Sequence, residues 1–130
     1  LKRLDQWADG RRRNAARYHQ LFADAQLTDH VTLPVTHPHN FHVFNQFTLR
    51  VRKRDELRAY LKDHGVGTEV YYPLPLHLQN CYRDLGYQKG AFPQSERAAE
   101  EVLSIPIYAE LTDEQLQYVV QMIAAFFRKR

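Results

Sequence analysis

Cysteine is almost missing: Cys81 stands alone in 130 residues. With nothing to pair it, no disulfide framework exists, and the chain is expected in a reducing compartment, read here as the cytoplasm. No run of eighteen apolar residues and no basic-then-apolar leader occurs, so neither a membrane span nor a signal peptide is expected. Internal repeats, low-complexity tracts and flexible linkers are lacking. So are the self-contained catalytic motifs: there is no G-x-S-x-G turn, no G-x-G-x-x-G or phosphate loop, and no H-E-x-x-H. There is no initiating Met, and Leu1 falls inside a helical pattern, so the chain is expected to be a piece of something longer.

What is present suits one globular domain, with 44% of residues hydrophobic. A chain of this size hides roughly two thirds of its unfolded surface on folding, enough for a core without disulfides. The net charge of +3 comes from three runs: Arg11-Arg12-Arg13, Arg50 with Arg52-Lys53-Arg54, and Arg128-Lys129-Arg130. No stacking aromatics interleave them in a nucleic-acid module, so they read as solvated faces and nucleic acid is not an expected partner. The last run complements a helix C-terminus.

Residues 1–25 fit a long amphipathic helix, with Leu4, Trp7, Ala8, Ala15, Tyr18, Leu21 and Phe22 at three- and four-residue spacing and Gly10 as its weak point. A short apolar stretch, 31–35, leads to the turn His37-Pro38-His39-Asn40. The stretch HVFNQFTLRV, 42–51, reads as a strand. Phe41, Val43, Phe47, Leu49 and Val51 would share one face and His42, Phe44, Gln46, Thr48 and Arg50 the other, with Asn45 interrupting the apolar row. A helix over 55–64 ends at Gly65 as a left-handed cap, and 66–72 reads as a second strand stopped by Pro73 and Pro75, which present His77. Leu78, Cys81, Tyr82 and Leu85 suggest a short helix closed by Gly86. Residues 94–103 form another helix, followed by a short apolar segment over 104–108. Thr112-Asp113-Glu114-Gln115 is a capping box opening the last helix. The fold class is α+β, a small sheet covered by helices.

Candidate chemistry is sparse. His37, His39 and His42 make an H-x-H-x-x-H pattern, but Pro38 and Asn40 read as turn residues and no thiol is near, so a metal is not expected. Cys81 sits at an inward helical position, which favours core packing over nucleophilic chemistry. Two polar clusters remain at strand ends: His42, Asn45 and Gln46, and Glu69, Tyr71, Tyr72 and His77. Each could close a bulge or lie half-buried in the sheet. Strand ends beside rigid turns also present binding groups.

Together HVFNQFTLRV, GVGTEVYYPLPLHLQ and FPQSERAAEEVLSIPIYAELTDEQLQYVVQMI resemble the C-terminal part of the DegT/DnrJ/StrS family of pyridoxal-phosphate aminotransferases acting on nucleotide-linked keto-sugars. RRRNAARYHQLF is similar to that family's interdomain helix, which makes residues 1–25 that helix and 26–130 the small C-terminal domain of a fold-type-I architecture, with a mostly antiparallel sheet. The resemblance implies that a large domain absent from this chain holds pyridoxal phosphate on a Lys. Lys2, Lys53, Lys62, Lys89 and Lys129 lack the matching context, so this chain alone is expected to be inactive.

By the same resemblance His42, Asn45, Gln46, Tyr72 and His77 are substrate-binding candidates. Phe44 stands where many relatives have Tyr, which limits it to packing, and His77 is left either to reach substrate or to brace its loop. The implied partners are a nucleotide-sugar substrate, an amino-donor amino acid, the large domain and, at full length, a second copy in a homodimer. Two rivals are kept. One is a sugar dehydratase of the same family. The other is a stand-alone interaction or regulatory module, for which an exposed Leu4/Trp7/Tyr18 stripe would speak.

Overall fold

A computed structural model describes residues 2–128. Four helices surround a two-stranded antiparallel sheet: α1 (Leu4–Asp24), β1 (Phe47–Arg50), α2 (Arg54–Asp63), α3 (Pro93–Glu101), β2 (Val102–Ile105) and α4 (Asp113–Arg128). Two 3₁₀ turns, Leu76–Leu78 and Asn80–Leu85, lie between α2 and α3. The ladder sets Phe47 opposite Ile105 and Arg50 opposite Val102. Single bridges widen it, Thr32 to Arg50 on one side and Glu69 to Ser104 on the other. The α+β class and antiparallel sheet expected from sequence are therefore present, with less strand than the alternation promised.

The missing strand has physical causes. Phe44 takes a positive φ of 46°, a left-handed conformation that no extended run of L-residues can pass through. The side chains then change sides: Phe41 and Val43 are exposed, while Phe44 turns inward and joins Phe47, Leu49 and Val51 in the core. The expected second strand over 66–72 shrinks to one bridge, in which Glu69 and Ser104 exchange both backbone hydrogen bonds at 2.7 and 3.1 Å. Gly67 and Pro73 flank it closely, and neither supports a longer ladder.

The core is built by α1, the two strands and α4. Ala15, Tyr18 and Phe22 face inward from α1, and Leu116, Val119, Val120, Ile123, Ala124 and Phe126 from α4. Tyr18, one of the three residues whose exposure would speak for a stand-alone module, is fully buried, with its ring 5.0 Å from Phe47 and its hydroxyl donating to the Pro106 carbonyl at 2.9 Å. Burial raises the Tyr18 pKa well above the usual phenol range. Leu4 and Trp7 do remain exposed.

Gly10 is no defect. A Cβ there would lie 2.7 Å from Ala109 Cβ and 2.9 Å from its Cα, so only glycine lets α1 approach the 106–111 segment so closely. Asn14 Nδ2 then donates to the Tyr108 carbonyl at 2.7 Å, and Arg17 forms a two-bond pair with Asp113.

The remaining elements follow local chemistry. Gly65 adopts a φ of 73° just beyond α2, as its C-terminal position requires. The capping box is formed: Thr112 N–H donates to Gln115 Oε1 at 3.0 Å and Gln115 N–H to Thr112 Oγ1 at 3.3 Å. Arg54 was read as part of a solvated run but is buried, donating through Nη1 to the Val102 carbonyl at 2.9 Å. Cys81, expected in the core, is exposed, because the 3₁₀ turn that carries it has no buried residue. Lys129 and Arg130, expected to complement the end of α4, lie outside the described residues, as does Leu1.

Candidate functional site

The site candidates gather along one rim, where α1, the segment before β1 and the segment after α2 come together. Two arginines of α1 hold the His42 loop: Arg11 Nε donates to the Val43 carbonyl at 2.8 Å, and Arg12 lies 4.3 Å above the Phe41 ring. The left-handed turn at Phe44 then aims the Phe44 N–H at His42 Nδ1, 2.8 Å away. An accepting Nδ1 places the proton of the neutral ring on Nε2, so His42 offers a donor outward. Its ring rests on Phe44 at 4.1 Å, and Phe44 in turn packs at 6.0 Å from Phe47. The packing role expected of Phe44 is what the geometry shows.

His42 lines a cleft of about 840 Å³ with Arg12, Arg13, Asn40 and Phe44. His19 also lines it, and partial burial lowers its pKa and favours the neutral ring. Asn45 and Gln46 do not share this cleft. Both are exposed and line a second, smaller one of about 200 Å³ with Thr68, Glu69 and Tyr71. Tyr72 borders a third, of about 180 Å³, which also includes Tyr71. The two tyrosines meet edge to face at 5.8 Å across a cis peptide bond. These four candidates are thus spread over a rim and do not converge on a point.

His77 is placed differently from the others. It is buried, its Nε2 lies 2.9 Å from Glu96 Oε1, and its ring meets Phe92 edge-on at 4.9 Å. These contacts tie His77 to the helix that carries Glu96 and brace its loop. Glu96, which sequence reading passed over, is the centre of this arrangement. Its two oxygens accept the Gly90 N–H at 2.8 and 2.9 Å, and Oε1 also accepts the Phe92 N–H at 3.3 Å. Burial pushes the Glu96 pKa up, but the bonds from Gly90, His77 and Phe92 outweigh it and leave it below the ordinary range. The sequence signal was an acid in the first turn of the helix behind Pro93.

Chemically, the rim offers a ring N–H donor, three carboxamides, two phenols and two guanidinium groups to a polyhydroxylated or anionic ligand. Among the described residues no three His, Cys, Asp or Glu side chains form a metal-binding group.

Comparison with known proteins gives a consistent picture. The model of the DegT/DnrJ/EryC1/StrS aminotransferase family matches residues 1–124. A "Pleiotropic regulatory protein" of Geobacillus stearothermophilus is 50% identical over 96% of this chain and 33% of its own length. The dTDP-3-amino-3,4,6-trideoxy-alpha-D-glucose transaminase of Streptomyces venezuelae is 37% identical over 95% of this chain and 32% of its own. Among solved structures, S. venezuelae DesV in complex with a ketimine intermediate superposes with a TM-score of 0.89 at 35% identity, covering 97% of this chain and 33% of that one. The chain spans about a third of the length of the relatives it matches.

Proposed function

The chain belongs to the DegT/DnrJ/EryC1/StrS aminotransferase family, and from that premise we propose that the whole protein moves an amino group from an amino-acid donor onto a nucleotide-linked keto-sugar, using pyridoxal phosphate. The observation that carries this reading is the family match over residues 1–124. The exposed polar rim is in keeping with it. Neither the dehydratase nor the stand-alone module is favoured, since relatives of this chain are named as nucleotide-sugar transaminases.

In this reading residues 1–25 are the interdomain helix and 26–130 the small domain that closes over the sugar. His42 Nε2–H, the Asn45 and Gln46 carboxamides and the Tyr72 hydroxyl hydrogen-bond the sugar or its diphosphate. His77 acts from behind by fixing the loop on Glu96. The contribution is positional: bound hydroxyls are held in one orientation and water is displaced from the cleft as the rim closes.

Pyridoxal phosphate, when bound, supplies the electron sink for amino-group transfer. The described residues do not fit its covalent anchorage. Lys2, Lys53, Lys62 and Lys89 are all exposed and none lines the rim. We assign the anchor to a large domain of the same protein, and a homodimer in the cytoplasm to the full-length form. Among the described residues no helix is long and apolar enough to cross a membrane.

The test uses the full-length protein with pyridoxal phosphate, borohydride reduction and peptide mapping. The expected result is a tag on one Lys that is not among the five of this chain. No tag at all sinks the transaminase reading, and a tag on Lys2, Lys53, Lys62, Lys89 or Lys129 sinks the division of labour. His42→Ala in the same protein is expected to raise KM for the nucleotide sugar roughly tenfold, the size of one lost hydrogen bond to a charged or buried group. The KM for the amino donor should stay unchanged.

A further inference from the structure

The basic run that follows β1 does not end on a featureless surface. Arg50, Arg52 and Lys53 line a cleft of about 610 Å³ together with Arg97 of α3, a volume within the roughly 300–1,000 Å³ of small-molecule sites. It shares no lining residue with the three rim clefts and lies at the opposite end of β1 from Asn45 and Gln46.

The cations differ in commitment. Both oxygens of Glu101 are occupied, one by Arg50 at 2.7 Å and the other by Arg97 at 2.9 Å. Arg52 and Lys53 are exposed and their side chains have no partner among the described residues, leaving Asp29 as the one carboxylate of the lining not already engaged there. Among the described residues, the one buried side-chain donor without a hydrogen bond is Nε of Arg50, in the same cleft; buried donors of this kind call for an explanation.

Two aromatic rings stand among the threonines and valines of the remaining lining. His30 and Phe127 stack at 4.6 Å with their planes 11° apart, and both border the cleft. A cationic side suits phosphate oxygens, and a flat ring pair suits a base, which stacks on such surfaces whatever its identity.

We infer that this cleft is a second site, separate from the rim, for a nucleoside diphosphate or triphosphate, with the phosphates on Arg52, Lys53 and Arg97 and the base against the His30/Phe127 pair. A nucleotide bound there touches α3 and the start of α2, and so acts on the protein from outside the region assigned to the sugar.

Isothermal titration of the full-length protein with ADP tests this, beside inorganic pyrophosphate as a probe without a base. Arg52 and Lys53 are exposed and make no contacts that hold the fold, so Arg52→Ala/Lys53→Ala is expected to fold normally, to weaken ADP at least tenfold, and to leave the transamination rate unchanged. His30→Ala should weaken ADP about fivefold and pyrophosphate not at all, and His42→Ala should weaken neither. The inference is overturned if ADP shows no saturable binding, if the double variant binds it as well as the wild type, if pyrophosphate binds as tightly as ADP, or if His42→Ala removes ADP binding. None of the four overturning results depends on the transaminase assignment, because each is a binding measurement and none requires turnover.

Discussion

Two regions of this chain are held in opposite ways. The block of α1, β1, β2 and α4 is fixed by area: Tyr18, Phe22, Phe47, Leu49, Leu103 and Ile123 are essentially inaccessible to water. The arm from Tyr71 to Phe92 buries hardly anything. Residues 80–95 are all exposed, and Leu76, Tyr82, Leu85, Tyr87 and Phe92 present apolar surface to solvent. What gives the arm its shape is His77 and one carboxylate, Glu96, with its backbone partners at Gly90 and Phe92. A block fixed by area resists any single loss of a hydrogen bond. An arm fixed at a point does not.

The sharpest way to test that contrast is to damage the block. Phe47 is fully buried against Tyr18, His19 and Phe44, so Phe47→Ala is expected to cost about 3–5 kcal/mol in urea unfolding. A loss below about 1 kcal/mol would mean that the centre of the core lies elsewhere.

Gly10→Ala probes the edge of the same block. The added methyl meets the backbone of Ala109, which has no rotamer to yield, and a loss of about 1–3 kcal/mol in thermal or urea unfolding is expected. No loss would mean that α1 can back away from the 106–111 segment.

Glu96→Gln should do least to global stability and most to the arm. Hydrogen exchange is expected to quicken at the Gly90 and Phe92 amides while the unfolding midpoint barely moves. The pH dependence has a definite sign. Because the folded pKa of Glu96 lies below its ordinary value, its contribution is full above the ordinary carboxylate range and is lost as pH falls through the lowered folded value. The Gly90 amide proton shift, followed down a pH titration, should therefore hold steady through the ordinary glutamate range and change only below it. A change centred at or above that range would break the assignment of Glu96 as the fastener.

Much of the block was legible in the sequence and little of the arm was. Helical spacing announced α1, and Thr112 with Gln115 announced the start of α4, because both signals are local. The strand through His42 was overextended for a reason that no alternation pattern reveals: Phe44 is left-handed, and a residue's φ does not show in its hydrophobicity. Cys81 was placed inside because its neighbours spaced like a helix, yet six residues of 3₁₀ turn present no consistent buried face. Glu96 was missed because its partners are largely backbone amides, which every residue type supplies alike. For the rim, His42, Asn45, Gln46 and Tyr72 are exposed and line clefts, whereas their distribution over three separate clefts was invisible until the chain was folded.

The contact at Gly10 also makes α1 a shaft. Below it, Asn14, Arg17 and Tyr18 fasten the same helix face to Tyr108, Asp113 and Pro106, so the helix is keyed to its seat at four positions over about two turns. A keyed shaft can neither spin nor slip along its axis. A rotation of α1 would therefore have to take the 106–113 segment and the root of α4 with it, and through Arg11 the His42 loop as well.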